Sequence, residues 1–237
     1  MSDPRPPAGS IRTREATGFA VFVACFFVVW TIRATYGYAF DEAIPSQGAR
    51  IVYSNVVKFL LWVVPAVVFA ARIRHEPPLR YLGITTIPAP RQWAWSLTVI
   101  ACFLAAVAAG ETVVFGRKHV PFGGAAIYAT APGLLLLVVT PLLEETLFRG
   151  LFVKELRRLA GPGAAVVLTA LLFAGIHLPN WIWRGGLTGG VLANAGGVFV
   201  FGLVAGWLYV RTSSIWPPTV AHIANNLLAA LLVLAPR

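Results

Sequence analysis

The sequence predicts an all-α membrane protein, a polytopic transmembrane bundle of about seven helices. Three observations carry this. Of 237 residues, 58% are hydrophobic and only 12% charged, where a soluble domain carries about 25% charge. The mean hydropathy is +0.75. Apolar runs of roughly 20 residues recur along the whole chain, the length that crosses a hydrocarbon core of about 30 Å.

Taken in order, the runs are 17–36, 51–71, 94–115, 133–156, 163–182, 190–210 and 216–235. Short loops with Gly161-Pro162-Gly163 and Pro217-Pro218 separate them. The first run lacks a small-residue cleavage site and reads as a retained helix rather than a signal peptide. The expected organisation is a basic cytoplasmic segment over 1–16, N-terminal transmembrane helices over 17–130 and a catalytic transmembrane core over 131–237.

The net charge of +10 marks topology rather than a nucleic-acid partner. With the N-terminus in the cytoplasm, eleven of the 19 Lys and Arg fall inside, among them Arg72, Arg74, Arg157 and Arg158. Five fall outside and three within spans (Arg33, Lys58, Arg149). This is the positive-inside bias, and the basic side suits anionic lipid head groups. Arg33 and Lys58, toward outer span ends, are expected to snorkel. Cys25 and Cys102 read as small core residues.

The fourth run holds the stretch TPLLEETLFRG, residues 140–150. An ionisable residue near the bilayer centre costs about 2.5–3.5 kcal/mol and is a functional hypothesis by default. Glu145 and Arg149 are four apart and can pair on one helix face. Glu144 lies about 100° round the helix from Glu145 and faces something else. FAGIH places Phe173 and His177 on one face of span five, and HIANN places His222 and Asn226 on one face of span seven. At about 1.5 Å per residue, Glu144 is about 20 Å from Arg157, His177 about 21 Å from Gly163, and Asn226 about 15 Å from Trp216. A carboxylate, two imidazoles and a carboxamide therefore share one layer near the midplane.

That set suits hydrolysis. A carboxylate beside a neutral imidazole holds and deprotonates a water. An amide and a second imidazole donate to the oxyanion of a tetrahedral intermediate, where low dielectric makes each donor count. No zinc helix of the H-E-x-x-H type and no G-x-S-x-G turn is present. None of the seven serines is placed in this layer, and the two aspartates, Asp3 and Asp41, lie outside every span. No cofactor is expected. A zinc site built from Glu144, His177 and His222 is the metal alternative. A transporter or receptor using the same polar layer is the non-enzymatic one.

EETLFRG, FAGIH and HIANN resemble the E-E-x-x-x-R, F-x-x-x-H and H-x-x-x-N motifs of the CPBP family, the type II CAAX prenyl endopeptidases and their bacterial relatives, over about residues 130–230. The resemblance implies a glutamate-dependent intramembrane protease. In it Glu144 and His177 activate water, His222 and Asn226 stabilise the oxyanion, and Glu145 and Arg149 support them. Some members have eight spans. The implied substrate is a membrane-associated protein or peptide, cut near its C-terminus or a membrane-proximal segment. The short basic N-terminus suggests a bacterial inner membrane, where such proteins serve sorting-signal processing, peptide maturation or bacteriocin immunity.

Overall fold

A computed structural model describes residues 8–119 and 128–234. Part of the expected basic N-terminal segment, and Ala235 at the end of the expected seventh span, lie outside the described residues. The helices are α1 (Ala8–Thr35), α2 (Gly37–Ala43), α3 (Gln47–Ile73), α4 (Pro78–Tyr81), α5 (Pro90–Phe115), α6 (Ala131–Ala160), α7 (Pro162–Gly175), α8 (Leu178–Gly185), α9 (Gly189–Thr212) and α10 (Trp216–Leu231). Two three-residue strands, β1 (Arg117–His119) and β2 (Leu232–Leu234), pair antiparallel.

Each expected span has its helix. Among the described residues six are long and apolar enough to cross a membrane. The exception is α10, whose 16 residues reach only about 24 Å. Span five is not one helix: α7 stops at Gly175, and α8 restarts with His177 at its N-cap and Pro179 in its first turn. Proline belongs at a helix start and disfavours helical geometry just before itself. At this break the Ile176 carbonyl accepts a bond from the Trp30 indole of α1, 2.8 Å away.

Proline also shapes the two helices that matter most for the site. Pro141 has no N–H, so the carbonyl of Leu137 loses its helical partner. The preceding turn, Leu135–Val139, widens to π geometry, and a second π segment, Thr146–Val153, follows Glu145. In α3, Pro65 likewise follows a π turn over Phe59–Val63, directly after Lys58.

The centre of the bundle is α6. Every residue from Leu143 to Val153 is buried, as expected of a helix enclosed on all sides. Phe148 makes edge-to-face contacts with Phe26, Trp62, Phe152 and Phe173, at centroid distances of 5.1–6.4 Å. Cys25 and Cys102, expected in the core, are instead exposed on the outside of the bundle.

In lipid, helices associate through close packing rather than hydrophobic exclusion. α9 approaches α7 at Gly202, where an added Cβ would lie 2.9 Å from both Cα and Cβ of Ala170. A Cβ on Gly197 meets nothing within 4 Å. Gly202→Ala is therefore expected to cost about 1–3 kcal/mol of overpacking. Gly197→Ala should gain about 0.5–1 kcal/mol of helix stability. Thermal melts in detergent measure both, and equal effects at the two positions would contradict the close approach.

At the arginine-rich end, Glu155 is fully buried and bonded by Arg74 and by the Tyr81 hydroxyl. Glu15 bridges Arg74 and Arg158. Burial, reinforced by the bond to Glu155, raises the Tyr81 pKa, so the phenol stays protonated and donates. This cluster ties α1, α3, α4 and α6 together.

Candidate active site

The three motifs meet inside the bundle. Glu145 is fully buried, as is Arg149 one turn on. Arg149 Nε lies 3.0 Å from Glu145 Oε2, and its Nη1 donates to Oε1 at 3.1 Å. A further contact joins Nη2 to the Gly202 carbonyl at 3.4 Å. The guanidinium stacks over Phe173, 4.5 Å from its centroid, a cation–π contact of the kind arginine favours. The pairing expected from the spacing is therefore present, and it fixes the carboxylate rather than merely neutralising it.

Glu145 in turn holds His222, whose Nδ1 lies 2.8 Å from Oε1. That bond places the proton on Nδ1 and turns Nε2 toward Glu144, 3.8 Å from its Oε2. Phe173 and Phe201 flank the ring at 5.7 and 4.8 Å. Arg149, Glu145 and His222 thus form one chain of fixed polar groups across α6 and α10.

Glu144 points to a different side, as the 100° step predicts. Its partner was not legible in the motifs: Lys58 of α3 places Nζ 2.6 Å from Oε1. Lys58 does not snorkel outward, whereas Arg33, nearer the end of its span, pairs with Asp41 at 2.8 Å. One turn away, Thr140 donates to Asn55 at 2.9 Å. Two polar pairs therefore lace α3 to α6, each with a member three or four residues from the other's. With Lys58 counted, the buried layer holds two carboxylates and two basic side chains, which offsets the cost of insertion.

His177 is half-buried and stands 5.3 Å from Phe173, centroid to centroid. Its Nδ1 is 2.9 Å from the Phe173 carbonyl. A carbonyl only accepts, so Nδ1 carries the proton and Nε2 keeps a lone pair. Glu144 interacts electrostatically with Lys58, His222 and His177. Asn226 lies one turn beyond His222 on α10, half-buried. Among the described residues its amide bonds to neither carboxylate. Four of the six expected residues are thus in direct contact, His177 is joined to them through Phe173, and Asn226 borders the group.

Among the described residues, no group of three or more His, Cys, Asp or Glu is placed to hold a metal ion. The zinc set expected as an alternative also meets a competitor, because the Lys58 ammonium already sits on Glu144.

Lys58 could have been suspected from sequence as a cation two turns inside an apolar run. A lone lysine 86 positions upstream carries no pairing signal, however.

No curated protein and no solved structure matches the chain. A family model does match, described as type II CAAX prenyl endopeptidase Rce1-like, and it spans all three motifs, from EETLFRG to HIANN. Residues 126–228 are therefore similar to the Rce1-like domain of the type II CAAX prenyl endopeptidases.

Proposed function

We propose that the protein is a CAAX-protease-type intramembrane endopeptidase that hydrolyses a peptide bond with a water held between Glu144 and the imidazoles. The single observation that carries this reading is the gap between two fixed polar atoms. Glu144 Oε2 and His222 Nε2 are 3.8 Å apart, so one water can lie within hydrogen-bond distance of both.

In the reaction, the water adds to the carbonyl carbon while its proton passes to the Glu144 carboxylate or, through it, to Nε2 of neutral His177. The carbonyl oxygen becomes an oxyanion. The oxyanion accepts hydrogen bonds from His222 and from the Asn226 amide beside it. The C–N bond then breaks as the stored proton moves to the departing amine. Glu145 and Arg149 take no proton; they hold the His222 ring in one orientation. No step needs a metal, because Lys58 supplies the positive charge beside Glu144.

The substrate is a membrane-associated protein or peptide, cut near its C-terminus or in a membrane-proximal segment. Comparing C-terminal peptides of membranes with and without the protein identifies it. On that substrate, His177→Ala is expected to lower the cleavage rate about 10²–10⁴-fold, and chelators to leave the wild type unchanged. Undiminished cleavage by His177→Ala removes the ring from the mechanism. Chelator loss that added zinc restores would replace this reading with a metal-dependent one.

A further inference from the structure

The two ends of the bundle differ in how they meet Glu144. Toward the arginine-rich end the route is closed. Leu147, Phe148, Leu151, Phe152 and Val153 are fully buried beneath it. Gly150 is pressed so tightly on α4 that an added Cβ would lie 2.7 Å from the Leu82 carbonyl oxygen. A cavity does open at that end, bordered by Arg80, Lys154 and Tyr209, but Lys154 is ten residues, about 15 Å, below Glu144.

Toward the other end the route is open. A cavity of about 240 Å³ has Asp41, Arg50 and Arg184 among its lining, and Ser54, Lys58 and Thr140 deeper along α3 and α6. Asn55, Thr140 and Lys58 line it, and behind Lys58 lies its partner Glu144, 2.6 Å away. Lys58 is thus shared between cavity and carboxylate. The cavity is far larger than one water requires, and its lining is polar enough to keep it wet.

We infer that water and substrate reach Glu144 through this cavity, from the face opposite the arginine-rich one. Lys58 stands at its floor as the positioning residue for Glu144. By the positive-inside rule the arginine-rich face is cytoplasmic, so the active site opens to the extracytoplasmic side. The substrate segment accordingly arrives from outside, into a cavity that Arg50 and Arg184 help to line. What travels through the cavity rests on the hydrolase reading above; where the cavity opens does not.

The test places single cysteines in a Cys25→Ala/Cys102→Ala background. Ser54→Cys reports this cavity, and Thr86→Cys the one at the arginine-rich end. Sealed right-side-out and inside-out vesicles are treated with a charged, membrane-impermeant thiol reagent. Ser54→Cys should label at least tenfold faster from outside and Thr86→Cys at least tenfold faster from inside. Labelled Ser54→Cys should lose cleavage at least tenfold relative to its own unlabelled form, whereas labelled Thr86→Cys keeps it. Should Ser54→Cys misfold, Ile51→Cys reports the same wall. Ser54→Cys labelling from inside, or full cleavage after complete labelling from outside, overturns the inference. Absence of cleavage before any labelling defeats the hydrolase reading instead, and side-specific labelling still decides where the cavity opens.

Discussion

Glu144→Gln is expected to abolish cleavage while the protein stays folded. Glutamine has the shape of glutamate and keeps an oxygen for Lys58, which now lies 2.6 Å from Oε1, but it cannot take a proton from water. Loss of a general base lowers a rate by about 10²–10⁴-fold. The lysine left behind is not stranded, because it borders the polar cavity. Yield and melting temperature should therefore stay near wild type, and Glu144→Gln/Lys58→Met should remain as inactive as the single variant. Cleavage within a few-fold of wild type would show that Glu144 is a structural ion-pair partner only.

Arg149→Met acts on the other carboxylate and has the largest expected effect on folding. Its guanidinium and the Glu145 carboxylate are both fully buried. Removing one member of a buried pair leaves an uncompensated charge and costs about 3–5 kcal/mol. Replacing both members by uncharged groups avoids that cost, so Glu145→Gln/Arg149→Met should recover most of the detergent melting temperature. It should not recover cleavage, because His222 loses the carboxylate that orients it at 2.8 Å. A double variant no more stable than Arg149→Met would mean that Arg149 acts mainly through Phe173 and the Gly202 carbonyl rather than through Glu145.

Much of this was legible without coordinates. Apolar run length located the six segments long and apolar enough to cross a membrane among the described residues, because a lipid-spanning segment must be long, apolar and internally hydrogen-bonded. The i, i+4 spacings of Glu145 with Arg149 and of His222 with Asn226 placed each pair on one helix face. Helical rise then brought three helices to a common depth. The interruption at Ile176–His177 was hidden by the continuous hydrophobicity of span five, although Pro179 and Gly175 are its local cause. Cys25 and Cys102 were misplaced because a lipid-facing surface and a protein core are equally apolar, so hydropathy does not separate them.

Sequence alone thus determined the class of protein, the depth of the polar layer and the residues able to form it, since helix rise and the cost of charge in lipid are local properties. Only the tertiary structure decided which cation meets which carboxylate, and on which side a cavity reaches them. Lys58 and Glu144 are 86 residues apart, as Arg74 and Glu155 are 81 apart. Such pairings depend on how whole helices rotate and cross. Helix rotation is set by small contacts such as Gly202 on Ala170, which periodicity does not encode.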